Sequence, residues 1–229
     1  MYKGRRLSIL GDSISTYLGV SNDETVNSTV KYNRCFYGKR NFSVEETYWG
    51  RLIEKFGFDL CVNNSWSGGN LSGRLDETSG VNRASELARD SGETPDVIIV
   101  FMGINDFGRG VTPEVFSMDY EETLMTINEN YPDAVVCCVN LPNRTFVFEE
   151  ETKVYNNVIE TAVRSMGERY VVADLFGSRM SWRFNDGYYN NTLDGLHPDQ
   201  DGMRMIAEVI ESTLNSTPAF LKLAREIDK

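Results

Sequence analysis

Residues 96–102, Asp-Val-Ile-Ile-Val-Phe-Met, are apolar at every position after the first. Apolar residues in succession, rather than at alternate positions, mark a strand covered on both faces. Such strands belong to parallel sheets with helices on each side. Four further runs share the character, at 6–10, 58–63, 134–140 and 169–174. The stretches between them have helical spacing. Ser43-Val44-Glu45-Glu46 is a capping-box pattern opening a helix towards Phe56. Residues 119–131 stop before Pro132, as a helix should. Val154, Val158, Ile159, Ala162, Val163 and Met166 share one helical face, and Gly167 ends it. Met203, Ile206, Val209, Ile210 and Leu214 repeat the pattern near the end. Strands alternating with helices predict a three-layer α/β fold. No internal repeat, low-complexity linker or second apolar core interrupts the 229 residues, so one domain over 1–229 is expected.

Charge narrows the partners. Lys plus Arg is 23 and Asp plus Glu is 34, a net charge of -11, which disfavours nucleic acid and anionic membranes. No run could span a bilayer, so membrane insertion is not expected. Behind the basic residues 1–6 stands only Leu7–Leu10, too short for the core of a signal peptide, and a cytoplasmic protein is expected. Triplets such as Asn27-Ser28-Thr29 carry no weight without a secretory signal. Cys35, Cys61, Cys137 and Cys138 have neither zinc-ligand nor Cys-x-x-Cys spacing. Cys137 and Cys138 read as small buried hydrophobes, in keeping with a reducing compartment. One segment breaks the alternation. Residues 19–42 mix Tyr32, Phe36, Tyr37 and Phe42 with Lys31, Arg34, Lys39 and Arg40, and read either as a lid or as a surface excursion.

Ligands of an open parallel sheet bind beyond the carboxyl ends of its strands. The first strand ends in Gly11-Asp12-Ser13. Ser13 there either caps the next segment or presents its hydroxyl to a substrate. The second leads into Asn63-Asn64-Ser65-Trp66-Ser67-Gly68-Gly69-Asn70, where the glycines form a turn or offer a closely approaching N–H. The third leads into Gly103-Ile104-Asn105-Asp106, with Asn105 as helix cap or amide donor. Together these supply a nucleophile and the donors that hold an oxyanion. The one histidine, His197, stands three residues after an aspartate in Asp194-Gly195-Leu196-His197-Pro198. A carboxylate at that spacing can hold the imidazole in one tautomer, leaving the other nitrogen to take a proton from serine. One histidine among scattered carboxylates is a poor zinc set, so no metal is expected. Trp66, Phe107, Trp182, Tyr188 and Tyr189 lie in or near the rim loops. They serve packing or offer flat faces to sugar rings and acyl groups, and Trp66 and Phe107 are the candidates for substrate binding.

The four blocks, Gly11-Asp12-Ser13, Asn63 to Gly68, Gly103 to Asp106 and Asp194 to Pro198, resemble, in content and order, those of the SGNH hydrolases, also called GDSL-type esterases and lipases. The resemblance implies a flavodoxin-like α/β/α fold with a central five-stranded parallel sheet, and an ester hydrolase without metal or organic cofactor. It implies Ser13 as nucleophile, His197 as general base and Asp194 as the residue orienting it. The oxyanion hole it implies combines the Ser13 and Gly68 N–H groups with the Asn105 amide, Gly69 being the alternative register. Asp12 and Asp106 are read as structural. The chief departure from the family pattern is the 19–42 segment between the first two blocks. Family members include carbohydrate acetylesterases, lysophospholipases, thioesterases and arylesterases. The acidic charge and the lack of an evident acyl tunnel incline the reading to a small-molecule ester with a short acyl group, such as an acetylated carbohydrate. A lysophospholipase or thioesterase is the alternative within the superfamily. From other classes come a non-catalytic carbohydrate-binding protein retaining the fold and a nucleotide-binding module. The latter is opposed by the absence of a dinucleotide or P-loop glycine pattern.

Overall fold

The structure is a computed structural model. It describes residues 2–20, 35–39, 42–143, 149–178, 184–185, 188–189 and 191–225, with backbone alone at 184–185, 188–189 and 225. The five apolar runs form one parallel sheet of β1 (Arg6–Gly11), β2 (Asp59–Ser65), β3 (Val97–Phe101), β4 (Val135–Val139) and β5 (Tyr170–Ala173), in the order β2-β1-β3-β4-β5. Every residue of β3 and β4 is buried, as their unbroken apolar character requires. β2 ends instead in Asn63, Asn64 and Ser65, which are buried and polar. They are tolerated because each has a partner. The Asn63 and Asn64 amides donate to the carbonyls of Ser15 and Glu86, and Ser65 Oγ donates to Asn63 Oδ1.

The helices are α1 (Tyr48–Phe56), α2 (Gly80–Arg83), α3 (Ile104–Gly108), α4 (Pro113–Asn130), α5 (Glu149–Ser165), α6 (Gln200–Asn215) and α7 (Pro218–Arg225). α1 packs beside α6, and α4 beside α5, flanking the sheet in the three-layer, flavodoxin-like arrangement. A short antiparallel ribbon, β6 (Phe184–Asn185) and β7 (Tyr188–Tyr189), stands apart from the sheet. The capping box at Ser43 is present, but it closes only a 3-10 turn, Val44–Glu46. α1 itself starts after Thr47, whose Oγ1 accepts the Gly50 N–H. α4 begins at Pro113 rather than 119, because Thr112 caps it and proline suits the first position. α7 lies beyond the helix expected to be last. Its Phe220 is fully buried and stacks on Tyr2 with ring centroids 4.2 Å apart. All four cysteines are buried and form no disulfide. Among the described residues no helix is long and apolar enough to cross a membrane.

β1 lies between β2 and β3, so the winding reverses there and leaves a crevice beyond the carboxyl ends of β1 and β3. Gly11 ends β1 at that crevice. A Cβ on it would lie 2.6 Å from Ser15 Cβ, Ser15 Oγ and Ser65 Oγ. Only glycine lets the chain fold back this closely, and Ser13 follows at once.

Candidate active site

Ser13 opens a single 3-10 turn, Ser13–Ser15, capped by Asp12, whose Oδ1 accepts the Ile14 N–H at 2.9 Å. The turn is pinned from two elements. The Ser15 hydroxyl shares a 2.7 Å hydrogen bond with the Tyr48 hydroxyl of α1. The Ser15 carbonyl accepts from Trp49 Nε1 and Asn63 Nδ2, each at 3.0 Å. Ser13 is thus buried on a rigid turn at the crevice.

The chain returns to this point much later. Before α6, the loop from Thr192 to Pro198 is closed on itself by a bridge between those two residues. Asp194 Oδ1 accepts the N–H of Leu196 at 3.0 Å and of His197 at 2.8 Å. Its Oδ2 lies 2.8 Å from His197 Nδ1, and His197 Nε2 lies 2.9 Å from Ser13 Oγ. Burial works against ionisation of Asp194. The His197 N–H, the imidazole and the Leu196 N–H outweigh it and hold the carboxyl below its ordinary range. An ionised carboxylate on Nδ1 fixes that nitrogen as the protonated one and leaves Nε2 as the acceptor facing Ser13.

The loop after β2 brings Gly68 and Gly69 to the same rim. The Gly69 N–H is engaged with the Trp66 carbonyl at 3.0 Å, while the Gly68 and Ser13 N–H groups meet no acceptor among the described residues. Asn105, in α3, donates from Nδ2 to the Gly69 carbonyl at 2.9 Å and makes only a long 3.5 Å contact with Asp12 Oδ2. Asp106 accepts the N–H groups of Leu71 and Ser72 at 2.7 and 2.8 Å, tying the second loop to the third. Burial raises the Asp106 carboxyl despite those bonds. Asp12 is pushed up to about 7, chiefly by burial. The Ile14 N–H opposes this, neighbouring Asp106 adds to it, and Arg83 pulls it back.

Two features here go beyond the sequence reading. Arg83 of α2 is buried beneath the rim. Its guanidinium donates to the carbonyls of Thr78 at 2.9 Å, Gly11 at 3.1 Å and Asn64, and to Asn64 Oδ1 at 3.1 Å. Burial lowers its pKa to about 10. It reads as an ordinary charged residue in a loop-like stretch. The second is Phe36, which lies flat against the His197 ring, with centroids 3.4 Å apart and an interplanar angle of 9°. Of the 19–42 segment, residues 19–20, 35–39 and 42 are described; 21–34, 40 and 41 lie outside the described residues. Trp66 is mostly buried and lines a groove of about 620 Å³ with Arg74, Leu75 and Asn82. Phe107 packs edge-on against Tyr155 at 5.4 Å. Tyr188 and Tyr189 form β7, and Trp182 lies outside the described residues. Among the described residues no three His, Cys, Asp or Glu side chains gather as a set that could hold a metal ion.

The GDSL-like lipase/acylhydrolase family model matches residues 9–205, a span that takes in all four rim blocks. A search of curated proteins by sequence returns no match. Solved structures share the fold. A protein of Bacteroides ovatus, described as a candidate GDSL-like lipase, superposes with a TM-score of 0.66 at 22% identity, covering 91% of this chain and 96% of its own. A Lactobacillus plantarum protein gives a TM-score of 0.70 at 20% identity, over 93% and 98%. A family two carbohydrate esterase of Clostridium thermocellum, solved with cellohexaose, gives 0.64 at 19% identity, over 92% and 63%. With the family model spanning most of its length, the chain belongs to the GDSL-like lipase/acylhydrolase family, and so to the ester hydrolases.

Proposed function

We propose that the protein is a serine esterase that cleaves a short acyl ester by two-step acyl transfer. The observation carrying the proposal is the unbroken row from Asp194 through His197 to Ser13 Oγ, at 2.8 and 2.9 Å. His197 Nε2 takes the proton as Ser13 Oγ bonds to the ester carbonyl carbon, and the carbonyl oxygen becomes an oxyanion. His197 then gives that proton to the leaving alcohol as its bond to carbon breaks. A water repeats both transfers and releases the acid and Ser13. The oxyanion is assigned to the Ser13 and Gly68 N–H groups and to the Asn105 hydrogen not held by Gly69. In this reading Gly68 rather than Gly69 supplies the donor, because the Gly69 N–H is engaged in its own turn.

The acyl donor proposed is a sugar carrying an acetyl or similarly small group as its ester. The acidic chain disfavours anionic lipid surfaces, and carbohydrate esterases share the fold. A fluorophosphonate should label the protein at the Ser13 peptide, located by mass spectrometry after digestion. Label on another residue would remove Ser13 from the role. A panel of acetylated sugars and p-nitrophenyl esters of rising chain length should show turnover highest for acetyl and falling with length. Preference for long chains would favour the lysophospholipase or thioesterase reading instead. Asn105→Ala should lower kcat by about 10²–10³ with little change in KM, since the lost bond strengthens only as the oxyanion forms.

A further inference from the structure

Ser13 and Asp194 hold the His197 ring by its two nitrogens, in its plane. Neither restrains its faces. One face is covered by Phe36, parallel within 9° at 3.4 Å. Phe36 is itself tied to the serine turn. Its N–H donates to Thr16 Oγ1 at 2.9 Å, and that hydroxyl donates to the Ser13 carbonyl at 2.8 Å. The next residue is tied to the histidine loop. The Tyr37 hydroxyl donates to the Pro198 carbonyl at 2.9 Å, and the Tyr37 carbonyl accepts the Leu18 N–H at 3.0 Å. The Tyr37 ring stands edge-on to Phe36 at 4.9 Å and to His197 at 6.3 Å. Residues 36 and 37 therefore bridge the two loops that meet at the Ser13–His197 hydrogen bond.

We propose that Phe36 is a positioning residue for the proposed esterase reaction, its ring fixing the plane of His197 and its π face stabilising the imidazolium formed when Ser13 gives up its proton. The inference rests on the esterase reading. A cation over an aromatic face is attracted by the ring quadrupole, whereas the neutral imidazole gains less. The gain is thus greater in the tetrahedral intermediate than in the resting enzyme, which is the condition for accelerating the step. Charges also surround the Tyr37 hydroxyl beside this ring. They are Asp194, which is bonded to the ring itself, Asp199 at the head of α6 and Asp12 beside the serine. Phe36 is uncharged and lies flat on the ring, whereas Tyr37 meets it edge-on, so the effect of the π face is read by changing the Phe36 ring alone.

The test uses Phe36→Leu, which keeps apolar cover and removes the π face. The chain contains one histidine, so its imidazole proton resonance needs no assignment and reports its titration directly. In Phe36→Leu the His197 midpoint should move about half a pH unit lower. The acid limb of kcat/KM should follow it, and kcat should fall about tenfold with a smaller change in KM. Phe36→Tyr and Phe36→Trp, which retain a face, should recover most of kcat and a midpoint at or above that of the unaltered protein. Equal midpoints in the Leu and Trp variants would overturn the proposal. So would a loss confined to KM, which would make Phe36 a surface for substrate only. The midpoint is read on the free protein, so it judges the stacking even if Ser13→Ala retained turnover and the esterase reading fell.

Discussion

Ser13→Ala and His197→Ala should each lower kcat for ester hydrolysis by on the order of 10⁴–10⁶, and the double variant should lose no more than either alone. The reason is geometric. His197 Nε2 is 2.9 Å from Ser13 Oγ, and the ring's other nitrogen is held by Asp194. A base without its nucleophile has nothing to deprotonate. A serine without its base is a neutral alcohol of little reactivity. The two losses therefore overlap rather than multiply. Residual activity should remain about 10³–10⁴ above water, because the proposed oxyanion donors survive both changes. His197→Ala should also erase the acid limb of the kcat/KM profile, since in the proposed mechanism protonation of that ring removes the base. Steady-state kinetics of the three variants across pH 5–9 measures all of this. A double variant slower than either single by a further large factor would show that Ser13 and His197 act independently, and the mechanism would have to be redrawn.

Arg83→Ala should cost about 3–5 kcal/mol of stability, and the deficit should be larger at pH 8 than at pH 5. Arg83 holds the carbonyls of Gly11 and Asn64, at the ends of β1 and β2, and that of Thr78 in the loop between them and α2. Its loss leaves buried acceptors without donors and removes the cation facing Asp12. The pH dependence follows from Asp12, whose carboxyl is raised to about 7, chiefly by burial. A carboxyl raised in the fold contributes stability that is full below its unfolded pKa of about 4 and is lost as pH rises through the folded value. Without Arg83 the folded value rises further, so ionising Asp12 costs more at pH 8, while at pH 5 the group stays protonated in the fold. Arg83→Lys should not restore stability, because one ammonium cannot reach acceptors arrayed for a planar fork. Urea unfolding at the two pH values gives the result. An equal deficit at both would mean that Asp12 does not feel Arg83, and a deficit under about 1 kcal/mol would remove the clamp itself.

The sheet was legible because its evidence is local. Val97 to Phe101 and Val135 to Val139 are continuously apolar, and only strands buried on both faces use such runs. The start of α1 was less legible. The Ser43 box is satisfied by a single turn, and a second cap, Thr47, takes over. The Asp194–His197 contact was readable because three residues of loop bring both side chains to one turn. The stacking of Phe36 was not, since it depends on Thr16 linking residue 36 to the serine turn. The engagement of the Gly69 N–H with the Trp66 carbonyl was likewise not legible, since it is a turn hydrogen bond that either glycine is chemically able to make.

The order and spacing of the four rim blocks, the alternation of strands and helices, and the pairing of an aspartate with the one histidine were properties of the chain by itself. They depend on neighbours within a few residues, where periodicity and loop length are sufficient constraints. The 2.9 Å approach of His197 to Ser13 across 184 positions belongs to the tertiary structure. So do the raising of Asp12 to about 7 and the burial of Arg83 beneath the rim. A parallel sheet gathers the carboxyl ends of distant strands at one edge, and burial there sets each group's charge by whichever neighbours the fold delivers.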